Sequence, residues 1–234
     1  MTTISIHQPN YLPWFGFFAK VAASDVFVFL DDVAFSKGSY TNRVKFLQET
    51  KSRWVTIPII HKQGLHINEI LPSNTDWNFD HLNSVANWYR DSSAFSEIRE
   101  EFESMLFDAA ALGNLAEINK LLIIKLSNRL GFNCQFVSSS EFNVSTLGTE
   151  RLIDIVKKID LKGRYLSGQG GANYQDPYKF SEAGIELQYL DFEHPIYSQG
   201  VEDFTAGLSI MDAVFHVGWA QTKGFFKSVE SKDK

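Results

Sequence analysis

The apolar and polar positions open the chain with a short alternation, Ile4-Ser5-Ile6, that Pro9 brings to a stop. This predicts a first strand. Residues 15–23 then repeat their apolar side chains at helical spacing. Val26-Phe27-Val28-Phe29-Leu30 is an unbroken apolar run ending at Asp31-Asp32, the pattern of a strand buried on both faces. Strand, helix and buried strand in quick succession begin a parallel α/β sheet. Residues 35–47 are polar, contain Gly38 and alternate weakly, as a hairpin or a long loop over the sheet would.

Residues 54–60 predict another strand, and residues 62–77, with Gly, Pro, Ser and Asn, an irregular stretch. Helices follow over 80–89, 94–111 and 115–130. The last has the clearest ends, with Asn114 as cap, Glu117 at the third helical position and Gly131 after its close. The α/β pattern then resumes. Strands are expected at 134–137, 164–166 and 186–190, with a helix over 150–159. A second helix starts after the cap Asp176, with Pro177 at its first position and Gly184 beyond its end, and a final one covers 208–215. The expected fold is therefore α/β, with a mostly parallel sheet, Rossmann-like layering and a helical insertion at about 80–130. One domain runs to residue 226, and a charged, flexible tail covers 227–234.

Composition adds bounds to this picture. Of 234 residues, 44% are hydrophobic, and 20 Phe, eight Tyr and five Trp supply a core that needs no disulfide staples. Net charge is −6, so the whole molecule repels polyanions; no general nucleic-acid binding is expected, although a local basic patch could hold one small anion. Cys134 is the single cysteine, which excludes an intramolecular disulfide and a thiolate metal cluster and suits a core position better than a nucleophile. No basic run followed by a long apolar stretch opens the chain, and the longest apolar runs fall short of a membrane span. A cytoplasmic protein with no membrane span is expected.

In open parallel sheets ligands sit beyond the carboxyl ends of the strands, so the residues after each predicted strand are the candidates. They are His7-Gln8-Pro9-Asn10-Tyr11, then Asp31-Asp32, then the segment from Ser167 and Gly168 to Tyr174, then Asp191 with His194-Pro195 and Tyr197. Their convergence says more than any one of them. His7 is either a general base, hydrogen-bond donor or metal ligand, or a residue that ties down the turn before Pro9. Gln8 offers an amide that can read a hydroxyl or a base edge. Asp31 and Asp32 alternate if the strand continues, so one faces the crevice, for a cationic amine or a magnesium ion, and the other caps a turn.

Lys37, Arg43, Lys45, Lys51 and Arg53 form a local positive excess against Glu49 alone. Arg43 and Lys45, with Lys37 and Asn42, read as a clamp for phosphate or carboxylate, against the alternative of a solvated hairpin. The segment 167–174 lacks the third glycine of a dinucleotide fingerprint, since Asn173 stands there, and no Walker A sequence occurs. It still admits a close approach of backbone amides to a ligand, or else it is a tight strand-to-helix turn. His194 is a second site histidine or a surface-loop residue.

Taken together, Ile6-His7-Gln8-Pro9-Asn10-Tyr11-Leu12-Pro13-Trp14, Leu30-Asp31-Asp32-Val33, Lys37, Asn42-Arg43-Val44-Lys45, Tyr165-Leu166-Ser167-Gly168 leading to Tyr174, and Gly184-Ile185-Glu186 leading to Asp191 resemble the WbqC-like protein family. The resemblance implies a place in bacterial O-antigen, lipopolysaccharide or other surface-polysaccharide pathways, beside enzymes that make nucleotide-linked amino sugars. It also implies a transferase attaching glycine or another acyl group to the sugar's amine.

On that expectation His7 accepts the amine's proton, and Asp31 or Asp32 orients the amine. Arg43, Lys45 and Lys37 hold the diphosphate, Tyr11 and Trp14 pack on sugar or base, and amides after Gly168 stabilise the oxyanion. The partner is a small nucleotide sugar. Glycine must be activated by ATP or delivered as an aminoacyl donor, and a magnesium ion at Asp31 or Asp32 remains an alternative. A nucleotidyl-transfer or adenylating domain would also use a histidine after the first strand, but the second histidine usual in such a domain is missing here near Gly16. From another class comes a non-catalytic sugar-nucleotide-binding or scaffold protein of the same pathway.

Overall fold

A computed structural model describes residues 1–230 of the chain. Its first third contains β1 (Thr3–His7), α1 (Phe15–Ala22), β2 (Val26–Phe29), the hairpin strands β3 (Arg43–Gln48) and β4 (Lys51–Thr56), and the short pair β5 (Ile59–Ile60) and β6 (Leu71–Pro72). Three helices follow, α2 (Trp77–Tyr89), α3 (Phe95–Ala110) and α4 (Leu115–Leu130). Then come β7 (Gln135–Ser138), α5 (Gly148–Ile159), β8 (Arg164–Ser167), α6 (Pro177–Glu182), β9 (Glu186–Tyr189), α7 (Ile210–Gly224) and α8 (Lys227–Glu230).

Five of the strands form one parallel sheet in the order β7-β2-β1-β8-β9. The chain steps outward from β1 through β2 to β7, then returns to the other side of β1 with β8. That reversal is the doubly wound arrangement, and it opens a crevice between the carboxyl ends of β1 and β8.

The pleat sorts side chains into two layers. Ile4 pairs in register with Val26 and Ile6 with Val28, and these four share a core with Leu152, Ile155 and Val156 of α5 and Phe180 of α6. Phe27 and Phe29 point the other way, into the larger core shared by α1, α3, α4 and α7. His7 lies opposite Phe29, so the same alternation puts it on the α1 side. The three middle helices are thus a thick layer over one sheet face.

Helix α4 ends as its residues dictate: Asn114 Oδ1 accepts from Glu117 N at 3.0 Å, and Gly131 closes it at φ 76°. Some expected boundaries shift. The strand expected at 54–60 is two pieces, because Pro58 cannot donate to a ladder: β4 pairs with β3, and β5 pairs with β6. The final helix runs well past Phe215, with a break at Gly218, whose φ is 75°. The expected flexible tail starts instead as α8, with Val229 buried beside Phe226, because these apolar residues still reach the core. Residues 231–234 of that tail lie outside the described residues. No helix among the described residues is long and apolar enough to cross a membrane.

Candidate functional site

The segment after β1 is pinned from several sides. Asn119 Nδ2 donates to Pro9 O at 2.8 Å, Tyr11 N donates to Tyr40 O at 3.0 Å, Ser209 Oγ donates to Leu12 O at 2.8 Å, and Ile210 N donates to Pro13 O at 2.8 Å. Leu12 sits at φ 39° and is buried, a backbone state that costs free energy and is held by these bonds. Tyr11 is held as well. It is fully buried, its hydroxyl is 2.8 Å from His81 Nδ1, and burial pushes its pKa well above the ordinary value. It therefore packs the core and does not face a ligand, contrary to the expectation for it.

The crevice between β1 and β8 holds a cavity of about 380 Å³. His7, Trp14, Gly16, Lys20, Gly168 and Tyr174 are among the residues that line it. His7 Nδ1 is 2.9 Å from Gln8 O, and a carbonyl can only accept, so Nδ1 carries the proton. Nε2 has no hydrogen-bond partner among the described residues. Burial, and secondly the charge of Lys20, lower the His7 pKa to about 3, so the ring is neutral at physiological pH. Phe17 and Trp14 fix it edge-on, with centroids at 5.0 and 6.2 Å.

The glycine-rich segment forms a tight 3₁₀ turn at Gln169–Asn173. A Cβ at Gly171 would lie 2.2 Å from Ser167 Oγ and 2.7 Å from the Gln175 amide. Gln175 Nε2 in turn donates to Ser167 Oγ at 3.0 Å and Tyr165 Oη at 3.2 Å. The glycine lets the turn close down on this network, which forms the cavity's rear wall.

From the cavity a run of aromatic rings leads outward. Trp14 lies 4.9 Å from Tyr40, Tyr40 lies 5.3 Å from Trp54, and Trp54 is 40% exposed. Arg43 stacks 4.1 Å over the Trp54 ring, and Lys45 Nζ lies 5.2 Å from its centroid. The register of β3 against β4, with Lys45 opposite Trp54, puts the two cations on one face. Arg43 Nη2 also donates to Gly38 O. Lys37 is exposed at the surface, and Asn42 is buried with its Nδ2 donating to Ile57 O at 3.0 Å, so neither belongs to the ring-and-cation run.

Asp31 and Asp32 do not line the cavity. Asp31 is buried and receives Lys120 Nζ at 2.7 Å, Ser140 N at 3.1 Å and Ser140 Oγ at 3.0 Å. Burial alone would raise its pKa, but the Lys120 ammonium outweighs this and the net direction is down. Asp32 pairs with Arg151 at 2.6 Å, and both carboxylates accept from Ser139 Oγ. Each acid is already neutralised by its own cation, so the pair neither fits a magnesium ion nor reaches an amine in the crevice. Both are struts that join the end of β2 to α4, to the turn after β7 and to α5. His194 is likewise elsewhere, with Nδ1 on Pro195 O at 2.8 Å and its ring against Phe15 and Phe204. Gln8 takes part through its carbonyl oxygen. Cys134 is half-buried, and desolvation pushes its thiol up to about 12.

Lys20, Tyr40 and Trp54 were not singled out by sequence reasoning. The one signal for Lys20 was a lysine inside an apolar helical run, four residues after Gly16 and hence on its face.

A profile of the WbqC-like protein family matches residues 8–224. The chain belongs to the WbqC-like protein family. As a WbqC-like chain it is 28% identical, over 221 residues, to the uncharacterized protein Rv1507c of Mycobacterium tuberculosis (strain ATCC 25618 / H37Rv), an alignment covering 93% of this chain and 95% of that one. No solved structure matches it significantly. Among the segments of this WbqC-like chain inside the matched region are the pinned loop, Lys20, the hairpin and the glycine turn.

Proposed function

We propose that this WbqC-like protein is an amide-forming transferase that attaches an amino-acyl group, glycine first among them, to the amine of a nucleotide-linked amino sugar for bacterial surface polysaccharide. The observation that carries this reading is the neutral, cavity-facing imidazole of His7, joined by the Trp14–Tyr40–Trp54 run to Arg43 and Lys45. A nucleotide sugar matches that layout: rings for the base, two cations for the diphosphate, and a cavity for the sugar. Tyr40 and Trp54 take the place expected of Tyr11. The hairpin keeps Arg43 and Lys45 and loses Lys37.

In the reaction the amine nitrogen's lone pair forms the new C–N bond while the donor's leaving group departs with its electron pair. The nitrogen then sheds a proton. A pKa near 3 makes His7 a poor store for that proton, which passes to the leaving group. His7 instead accepts a hydrogen bond at Nε2 and so selects and orients the uncharged, nucleophilic amine. Gly168 lines the same cavity, and in this reading amides near it meet the carbonyl oxygen, where negative charge develops. The donor is glycine activated by ATP or carried as an aminoacyl ester.

The low basicity of His7 also favours a second reading, a protein that binds the sugar nucleotide without turning it over. One experiment separates the two. The protein is incubated with a dTDP-linked amino-deoxy sugar and, in parallel, glycine plus ATP, glycyl-tRNA or an acyl-CoA, and the product mass is read. A gain of one glycyl unit with either glycine donor, or of the acyl group with the acyl-CoA, abolished in His7→Ala, supports transfer. Tight sugar-nucleotide binding with no mass gain from any donor refutes it and supports the binding protein.

A further inference from the structure

Lys20 is only 5% exposed, yet no carboxylate, hydroxyl or carbonyl is bonded to its ammonium among the described residues. Its side chain lines the cavity, its Cδ 3.8 Å from where a Cβ on Gly168 would stand. Helical side chains lean toward the helix N-terminus, so Lys20 extends back along α1 over Gly16, where a missing side chain leaves the approach open. The N-terminal end of α1 has its positive dipole end there, Trp14 caps it without a side-chain bond, and no acid lines the cavity. A buried cation and a helix N-terminus therefore converge on one space with nothing negative in it. Buried charges are normally paired because an unpaired one is costly. Here the missing partner has a cavity waiting for it.

We propose that this cavity binds a small oxyanion, the carboxylate or phosphoryl group of a ligand, as the counter-ion of Lys20. The titratable groups that face Lys20 across the cavity are His7, Tyr165 and Tyr174. Desolvation lowers the Lys20 pKa to about 7, so the empty site is only half charged at neutral pH. An anion raises that pKa again, and it also relieves the repulsion that Lys20 exerts on His7. The inference concerns the cavity of the proposed transfer but does not need the reaction. Anion binding through Lys20 without any glycyl transfer would sink the transferase reading alone.

The test uses the full chain with sulfate, inorganic phosphate and acetate as probes, binding being followed by calorimetry and intrinsic tryptophan fluorescence. Sulfate, which does not titrate here, reports the charge on Lys20. A pKa near 7 predicts roughly tenfold tighter binding at pH 6 than at pH 8. Lys20→Met should lose sulfate affinity by about tenfold or more together with that pH dependence, and Lys20→Arg should keep both in part. With no anion present Lys20→Met should also unfold at a higher temperature than wild type, because it removes an unpaired buried charge. Phosphate binding without acetate binding assigns a phosphoryl ligand, and the reverse a carboxylate. Unchanged sulfate affinity in Lys20→Met, or no saturable binding of any of the three anions by wild type, would overturn the proposal.

Discussion

Replacing Lys120 by methionine asks whether Asp31 is a strut or a working acid. The two side chains are 11% and 2% exposed, and Nζ sits 2.7 Å from Oδ2. Methionine keeps the aliphatic stem and removes the charge, leaving a buried carboxylate with its serine hydrogen bonds but no cation. Breaking such a pair costs about 3–5 kcal/mol. The retained bonds from Ser139 and Ser140 put the expected loss near the lower bound, about 3 kcal/mol.

Asp31→Asn should cost less, about 1–2 kcal/mol, since Lys120 retains Glu117 at 3.0 Å. The double variant should recover part of the loss, giving a coupling of about 1–2 kcal/mol. Urea unfolding at pH 7.5 reads all three. With a slope of about 2–3 kcal/mol per molar, Lys120→Met lowers the midpoint by about 1 M. The pH dependence has a definite sign. The folded pKa of Asp31 is depressed, so its contribution is complete above the unfolded value near 3.9 and is lost as pH falls through the folded value. Lys120→Met should move that acid limb to higher pH. A loss below about 1 kcal/mol, with sugar-nucleotide binding abolished in Asp31→Asn, would show that Asp31 serves a ligand and that the strut reading is wrong.

His7 should stay neutral to about pH 3 in the folded chain, so its ¹⁵N imidazole resonances should keep the neutral Nδ1–H pattern between pH 8 and pH 5, apart from a small shift as Lys20 titrates; full protonation near 6.5 would contradict its desolvated, Lys20-facing setting. Because the unfolded chain binds that proton more readily, this histidine makes stability fall as pH drops below about 6.5. Gly171→Ala should destabilise by about 1–3 kcal/mol and distort the cavity wall, as its Cβ meets Ser167 and Gln175; wild-type thermal stability would argue that the turn relaxes freely. Trp54→Ala should weaken nucleotide-sugar binding several-fold with little change in stability, since the ring is partly exposed; equal Kd values in a fluorescence titration would remove the hairpin from the site.

The local rules were legible where a residue acts on its own neighbourhood. Pro9 stops β1, Asn114 and Gly131 end α4, Asp176 and Pro177 start α6, and the all-apolar run of β2 foretold a strand covered on both faces. His7 is the last residue of β1, and the strand end it marks opens onto the cavity, because a parallel sheet has one end open to ligands whatever its details. What folding decided is who stands across from whom. Tyr11 and Trp14 are near neighbours in the same loop, yet the positive φ of Leu12 turns one into the core and the other into the cavity. Asp31 and Asp32 look the same in sequence as catalytic acids would, and only Lys120 and Arg151, far along the chain, make them struts. Lys20 looked like one more helical lysine until β8 and its glycine turn closed over it. Periodicity and caps are set by interactions within a few residues, so the chain itself determined them. Charge compensation depends on contacts between residues far apart in sequence, so only the tertiary structure could decide it.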